Sequence, residues 1–261
     1  MDLPRDKKPS FEPNAALLIG ISGPSSSGKT TLSRLLRDII PQTFIVHLDD
    51  FYLSDAQIPL NEGVQDWDCL ESLNIPEFHT ALSYIKSHGT PPPDLISKED
   101  QNAVGKHGVD PAFIENCRER VKKLMTDNSC NIPIAIIDGF LLFSSSMAEI
   151  RALFDIKLFL RTSYTTAKAR REARSGYVTL EGFWQDPPGY VDQVVWPNYV
   201  KDHAFLFEDK DVHGRLDSKV CREIGILGMP DEAEGNMGKC LEWAVQALEK
   251  FIAGRLQPAT K

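Results

Sequence analysis

The sequence predicts an α/β fold in which a parallel β-sheet is flanked by helices. Three observations indicate this fold: apolar runs of strand length recur, segments with helical periodicity separate them, and several of the runs end at Gly or Asp. Continuous apolar runs are typical of strands that are buried on both faces. Strands that alternate with helices form parallel sheets through right-handed crossovers. The 261 residues are enough for one large domain of this class.

The elements follow in order from the amino end. The run ALLIGIS at residues 16–22 predicts the first strand, and residues 30–40 predict a helix because their leucines and isoleucines recur with helical spacing. Pro41 ends that helix. Further strands are predicted at residues 44–48, 134–137 and 156–160. Further helices are predicted at residues 75–87, 113–125, 146–153, 164–174 and 241–256.

The domain organisation predicted from composition is one domain with a tail and two insertions. Residues 1–14 are polar and proline-punctuated, which predicts a flexible tail ahead of a single domain at residues 15–261. Surface insertions are expected near residues 88–131 and 210–239, because much of their length is rich in proline, glycine and charge.

Composition excludes several classes of partner. The chain has 29 Lys and Arg against 37 Asp and Glu, a net charge of −8, and no basic tract of the kind that binds nucleic acid. No apolar run approaches membrane-spanning length, and we expect neither nucleic acid nor membrane as a partner. The five cysteines form no CxxC pair, so we expect reduced thiols and a cytoplasmic location, with a nuclear one also open. The sequence does not indicate the oligomeric state.

The strongest motif is the segment GPSSSGKT at residues 23–30, which fits GxxxxGK[ST] between a predicted strand and a predicted helix. Gly23 and Gly28 permit a backbone that points successive N–H groups at a phosphate. Lys29 suits the β- and γ-phosphates, and the Thr30 hydroxyl suits Mg²⁺. The fold is therefore predicted to be of the P-loop NTPase type. The candidate ATP-binding residues here are Gly23, Pro24, Ser25, Ser26, Ser27, Gly28, Lys29, Thr30 and Thr31.

A phosphate-binding loop of this kind, called the cradle below, occurs in switch GTPases, motor proteins and transferases, so it does not by itself identify the function. The guanine-reading NKxD tetrapeptide of switch GTPases is absent, and the chain has no second ATPase module. We therefore expect transfer of a γ-phosphoryl group to a small molecule. A regulatory protein that hydrolyses ATP slowly is the alternative from another class, and the choice between ATP and GTP as donor stays open.

Three aspartates follow strand-like runs directly. Because ligands of open α/β sheets gather beyond the carboxyl ends of the strands, Asp49, Asp50 and Asp138 are expected to border the nucleotide. Phosphoryl transfer to a hydroxyl needs a carboxylate that orients the acceptor and takes its proton, and carboxylates or water complete the Mg²⁺ shell. Spacing alone leaves the choice between Asp49 and Asp50 open.

Five collinear segments resemble the nicotinamide riboside kinases, which are P-loop kinases related to uridine kinase. Together they extend from the first strand to about residue 207, so the resemblance is more specific than the P-loop alone. The segments are HLDDFY at 47–52, WDCLESLN at 67–74, IIDGFLLF at 136–143, ARREAR at 169–174 and PPGYVDQVVWPNY at 187–199.

The resemblance implies ATP- and Mg²⁺-dependent phosphorylation of the ribose 5′-hydroxyl of nicotinamide riboside, and of nicotinic acid riboside in several members, to give the mononucleotide for NAD synthesis. It implies that Asp49 is the proton acceptor and, with Thr30, a Mg²⁺ neighbour. Lys29 and Asp138 would complete the catalytic set. A uridine or cytidine kinase is the enzyme alternative, because it shares the scaffold and differs in the base pocket.

The resemblance also implies a riboside pocket. Trp67 would stack on the pyridinium ring, to which an indole face is attracted by a cation–π interaction, and Asp68 would hold the ribose hydroxyls. Tyr52 belongs to the same pocket, and Tyr177 or Gly176 would supply its second face.

A predicted short lid helix carries the remaining cations. On a helical period Arg170 and Arg174 share a face, while Arg171 points about 100° away. The resemblance implies that Arg170 and Arg174 address nucleotide phosphate and that Arg171 addresses the riboside. Guanidinium groups suit a transferring phosphoryl group because they bind two oxygens at once.

Overall fold

The computed structural model describes residues 16–97, 107–174, 176–179 and 182–256. The predicted tail at residues 1–14 lies outside the described residues, as does the part of the first predicted insertion at residues 98–106. In chain order the described strands are β1 (Leu17–Ser22), β2 (Thr43–His47), β3 (Leu60–Asn61), β4 (Val64–Gln65), β5 (Ile134–Asp138), β6 (Ile156–Phe159), β7 (Tyr177–Val178), β8 (Phe183–Trp184) and β9 (Ile226–Gly228). The described helices are α1 (Lys29–Ile39), α2 (Ile75–His88), α3 (Pro111–Asp127), α4 (Ala148–Leu153), α5 (Tyr164–Glu172), α6 (Trp196–His203), α7 (Ser218–Ile224) and α8 (Met237–Leu256).

The centre of the molecule is a five-stranded sheet in the order β2-β5-β1-β6-β9. All of its strand pairs are parallel. The predicted α/β class with a parallel sheet is therefore confirmed. Because β1 lies in the middle, the loop that follows it opens at the carboxyl edge between two neighbouring strands, where such sheets bind ligands.

The two faces of β1 explain its unbroken apolar sequence. Leu17, Ile19 and Ile21 face a core formed with α1, α3 and α8. Leu18 lies on the opposite side, in a core shared with α2, α4 and α6. Side chains alternate across a strand, so a central strand covered on both faces must be apolar at every position.

The second predicted insertion contains more regular structure than expected. In the first, α3 confirms the helix predicted at residues 113–125 and buries Cys117 and Val121 in the core. Within residues 210–239, α7 is followed by β9, which pairs with β6 and forms an edge of the central sheet. The expectation of surface loops is wrong for α7 and β9. Three residues are too few to show a strand period, which is why β9 could not be predicted.

Two small hairpins, β3–β4 and β7–β8, are not part of the central sheet.

Within the described ranges, no helix combines the length and the apolar character needed to cross a membrane.

Candidate active site

A single cleft receives the loop after β1, the turn after β2 and the end of β5. Most of the predicted site residues line it, although they come from five separate parts of the chain. They are Ser25, Ser26, Gly28, Lys29, Thr30, Thr31, Asp49, Tyr52, Trp67, Asp68, Asp138, Arg171, Arg174 and Tyr177. Five predicted residues are not part of the lining, namely Gly23, Pro24, Ser27, Arg170 and Gly176.

The cradle geometry depends on its glycines. Gly23 has a φ of 144°, and a Cβ there would lie 2.4 Å from the carbonyl oxygen of Leu160. Gly28 has a φ of 100° immediately before α1, in the left-handed region that side chains rarely adopt. The amino end of α1 faces the cleft, since Lys29, Thr30 and Thr31 line it, and the N–H groups of a first helical turn attract anions.

Lys29 is folded back over this loop. Its Nζ donates to the carbonyl oxygens of Gly23 and Pro24 at 3.0 and 2.9 Å. Burial lowers the pKa of Lys29 to about 8, although Asp49 and Asp138 act in the opposite direction. A bound phosphate would therefore contact a partly desolvated ammonium group. Its negative charge would raise the pKa of Lys29 and favour the protonated form.

The strand-end acids lie where the sequence predicts them. Asp49 and Asp50 occupy a single 3₁₀ turn, Leu48–Phe51, directly after β2, and both line the cleft. Asp138 is the last residue of β5 and is buried. Its Oδ1 accepts a hydrogen bond from Nδ1 of His47 at 2.5 Å.

The donor set suits Mg²⁺ held jointly with nucleotide phosphates. Oδ2 of Asp138 is buried and has no hydrogen-bond partner among the described residues. Thr30 and Asp49 line the same cleft. In the described parts of the chain, no group of three or more His, Cys, Asp and Glu side chains could hold a metal alone. Mg²⁺ typically uses one or two carboxylates together with substrate phosphates and water, and these residues fit that pattern.

The predicted riboside side of the cleft is organised by Arg171, which is almost completely buried. Its guanidinium donates to both carboxylate oxygens of Asp68, at 2.7 and 2.9 Å. It also donates to Asp186, at 2.6 and 3.2 Å, and to the Ser25 hydroxyl at 3.0 Å. Burial alone would lower the pKa of Arg171, but Asp68 and Asp186 outweigh burial and raise it. The structure thus joins the two predicted riboside contacts, Asp68 and Arg171, to each other.

Aromatic rings surround this ion pair. Trp67 packs edge-on against Tyr52, with ring centroids 5.3 Å apart, and against Trp184 at 5.7 Å. The hydroxyl of Tyr190 accepts from the backbone N–H of Trp67 at 2.9 Å and so fixes that segment. Burial, followed by the nearby Asp49 and Asp68, raises the pKa of Tyr52 well above its usual value, so its hydroxyl stays protonated.

The predicted sharing of a helix face by Arg170 and Arg174 is wrong. Helix α5 ends at Glu172, so Arg174 lies beyond the helix and helical spacing does not apply to it. Arg174 and Arg171 line the cleft. Arg170 is not part of the lining, and its Nη1 donates to the carbonyl oxygen of Ser26, a lining residue, at 3.3 Å.

The cleft includes residues that sequence reasoning missed. Gly139, Phe140, Thr179 and Trp184 line it, and Asp186 accepts from Nε1 of Trp184 at 2.9 Å. Of the two alternatives for the second aromatic face, Tyr177 lines the cleft and Gly176 does not. A side chain at Gly176 would lie 2.4 Å from the ring of Phe183.

The parallel sheet, the cradle after its central strand and the carboxylates at neighbouring strand ends define a P-loop kinase that acts on a small acceptor. The chain is 42% identical over 202 residues to the nicotinamide riboside kinase of Schizosaccharomyces pombe, across 77% of this chain and 84% of that protein. It belongs to the nicotinamide riboside kinase family.

Two further relatives have the same family name. The nicotinamide riboside kinase of Saccharomyces cerevisiae is 32% identical over 238 residues, which are 90% of this chain and 96% of that one. Human nicotinamide riboside kinase 1 is 30% identical over 70% of this chain and 75% of its own length. A solved structure of a possible uridine kinase from Bacillus stearothermophilus has 17% identity and a TM-score of 0.40, covering 74% of this chain and 85% of that chain. No protein-family model matches the chain.

Proposed function

We propose that this protein transfers the γ-phosphoryl group of ATP, with Mg²⁺, to the ribose 5′-hydroxyl of nicotinamide riboside, and that it also accepts nicotinic acid riboside. The product mononucleotide would feed NAD synthesis. One observation carries the proposal: a single cleft is lined by the phosphate cradle with Lys29 and Thr30 and also by Trp67 and Asp68. The phosphates of the donor and a cationic riboside can therefore bind side by side in the same cleft.

The chemistry of the riboside side favours a cationic ring. The pyridinium ring of nicotinamide riboside is positively charged, and the face of an indole attracts cations by about 0.5–2 kcal/mol. Trp67 supplies that indole, and the carboxylate of Asp68 is its chain neighbour in the same lining. A neutral pyrimidine ring would gain neither attraction.

The ion pair formed by Asp68 and Arg171 can recognise the ribose. Each carboxylate oxygen of Asp68 already accepts from Arg171, yet a carboxylate oxygen has two lone pairs. The remaining lone pairs can accept from the ribose 2′- and 3′-hydroxyls without breaking the ion pair. Because the pair is held by Asp186 on its other side, it presents a prearranged acceptor to the sugar.

Asp49 is proposed as the residue that orients the 5′-hydroxyl and takes its proton as the phosphoryl group transfers. Lys29 and the N–H groups of the cradle would hold the β- and γ-phosphates, and Arg174 would offset charge as it develops. Thr30, Asp49 and Asp138 are the residues that would hold Mg²⁺. When bound, the metal neutralises phosphate charge and stabilises the in-line arrangement.

Transfer proceeds by in-line displacement. The 5′-oxygen forms a bond to the γ-phosphorus while the bond to the β,γ-bridging oxygen breaks, and ADP leaves with that oxygen. The hydroxyl proton passes to the Asp49 carboxylate and then to water.

A small-molecule riboside is the proposed partner. A cytoplasmic location is part of the proposal, and it is supported by the five cysteines, none of which forms a disulfide in the described structure.

The proposal is tested by ADP release with ATP and Mg²⁺, measured in parallel with nicotinamide riboside, nicotinic acid riboside, uridine, cytidine and no acceptor. Turnover with the two pyridine ribosides and not with the pyrimidines supports it. Turnover with uridine would instead favour a pyrimidine nucleoside kinase. Turnover that is independent of any acceptor would indicate a regulatory ATPase, and both of these results would overturn the proposal.

A further inference from the structure

The pair formed by His47 and Asp138 has so far no role in the proposed reaction. We propose that His47 is a positioning residue, which fixes the Asp138 carboxylate so that its second oxygen is offered to the nucleotide and Mg²⁺ end of the cleft. The inference rests on the proposed function, because it assigns a role to a residue that supports the phosphoryl transfer described above.

The backbone brings the two side chains together. His47 ends β2 and Asp138 ends β5, and the two residues are direct partners in the register of this parallel pair. Paired residues of neighbouring strands project to the same face of a sheet. The contact is consequently built into the sheet, which is the most rigid part of the fold.

The contact has the geometry of a strong, directed hydrogen bond. Nδ1 of His47 lies 2.5 Å from Oδ1 of Asp138, and the two residues are 1% and 4% exposed. An ionised carboxylate only accepts hydrogen bonds, so Nδ1 must carry the proton. Hydrogen bonds to ionised acceptors are shorter and roughly twice as strong as neutral ones.

Fixing one oxygen determines where the other can be. With Oδ1 held by His47, rotation of the Asp138 carboxylate is restricted. Oδ2 is buried without a hydrogen-bond partner among the described residues, in a residue that lines the cleft. An unpaired buried carboxylate oxygen is costly, and a bound metal or its water would satisfy it. Groups that orient metal-binding side chains typically change metal affinity or activity by about 10–100-fold when they are removed.

The test uses three substitutions at one position. His47→Ala removes the donor. His47→Asn keeps an amide N–H near the place of Nδ1, while His47→Gln moves the amide to the place of Nε2. We expect His47→Ala and His47→Gln to lower kcat by about 10–100-fold, with the KM for nicotinamide riboside nearly unchanged. His47→Asn should regain most of the lost kcat.

A second readout does not depend on turnover. Calorimetry would measure the affinity for a non-hydrolysable ATP analogue with and without Mg²⁺, and the Mg²⁺-dependent gain in affinity is the quantity compared. We expect His47→Ala and Asp138→Asn to reduce that gain by a similar factor and His47→Asn to preserve it. If His47→Ala does not fold, the comparison of His47→Asn with His47→Gln carries the test.

Several results would overturn the inference. Equal kcat in the Asn and Gln variants would mean that the position of the donor is irrelevant, and an unchanged Mg²⁺-dependent gain in His47→Ala would mean that the contact is only structural. These failures are distinct from failure of the proposed function, in which the unmodified protein itself would not phosphorylate nicotinamide riboside.

Discussion

The two ends of the cleft are built in different ways. The phosphate end is the contiguous segment 23–31, which follows β1 and includes the first residues of α1. The aromatic end combines Tyr52, Trp67, Tyr177 and Trp184, which belong to distant parts of the sequence. One end therefore depends on local backbone geometry and the other on how distant segments pack, and each should respond differently to substitution.

At the phosphate end, backbone conformation determines function. The positive φ angles of Gly23 and Gly28 shape the loop, and the lysine that follows is folded onto it by two hydrogen bonds. At the aromatic end, side chains carry the function. A buried ion pair and several ring contacts hold the pocket together, and no backbone feature alone creates it.

Asp49 adjoins both ends, and its removal should have the largest effect. We expect Asp49→Ala to lower kcat by about 10²–10⁴-fold, the range for a lost general base, and to leave the affinity for ATP measured without Mg²⁺ nearly unchanged. Rapid-quench or coupled assays give kcat, and calorimetry gives the affinity. Asp50→Ala is the matched control, because Asp50 lies in the same turn. A larger loss of kcat in Asp50→Ala would show that the roles of the two acids are reversed.

The Asp68–Arg171 pair offers a way to separate stability from substrate binding at the aromatic end. Removing one partner of a buried ion pair typically costs 3–5 kcal/mol, and because Asp186 still contacts Arg171 we expect about 3 kcal/mol for Asp68→Ala. The KM for nicotinamide riboside should rise as well. Urea unfolding and initial rates measure the two effects.

The double variant Asp68→Ala with Arg171→Leu provides the control for that prediction. Because the second change removes the buried cation that only Asp186 would still compensate, the double variant should lose less stability than the sum of the two single changes. Its KM should stay high. If the stability losses simply add, the pair is not coupled and the assigned geometry is incorrect.

His203 lies beneath the junction of the two ends, beside a small cavity that Ser25 and Asp68 also line. Burial lowers the pKa of His203 to about 4, while the unfolded value is about 6.5. As the pH falls, the unfolded chain protonates His203 before the folded protein does. The contribution of neutral His203 to the unfolding free energy is therefore fully present above about pH 6.5 and is lost as the pH drops toward 4. The loss amounts to about 3 kcal/mol.

Unfolding free energies measured between pH 7 and 4 would check this pH dependence. His203→Asn is the matched control, because it keeps a donor for the Tyr199 carbonyl oxygen, which His203 contacts at 3.1 Å, and does not titrate. Between pH 7 and 4, the unfolding free energy of His203→Asn should fall by about 3 kcal/mol less than that of the unmodified protein. Parallel profiles for the two proteins would show that His203 is not the group responsible.

The same contrast explains how much the sequence could predict. The phosphate end was predictable because a contiguous motif encodes it, and the strand ends at Asp49 and Asp138 followed from apolar runs. Trp184 and Asp186 were missed, since Trp184 lies in a hairpin whose strands have two residues each and show no period, and Asp186 lies just beyond that hairpin. Their partners, Trp67 and Arg171, are adjacent only after folding.

Arg174 illustrates the limit of periodicity. The spacing of the arginines predicts a common face with Arg170, but only while the helix continues. The helix ends at Glu172, where Ala173 donates its backbone N–H to the Ala169 carbonyl oxygen as the C-cap. Helix ends are fixed by capping and tertiary contacts, so the side of the cleft that Arg174 reaches could not be derived from spacing.

Trp67 gives the smallest and most selective predicted effect. If its indole attracts a cationic ring, Trp67→Leu should remove about 0.5–2 kcal/mol of binding, which corresponds to a rise in KM of roughly 2–30-fold for nicotinamide riboside. Initial rates should be compared with those for reduced nicotinamide riboside, whose ring is neutral but has nearly the same shape. Because the lost attraction depends on ring charge, the KM for the reduced riboside should change much less. Equal changes for both ribosides would show that Trp67 contributes shape and apolar contact only, and the charge-based distinction between the two ends of the cleft would then fail.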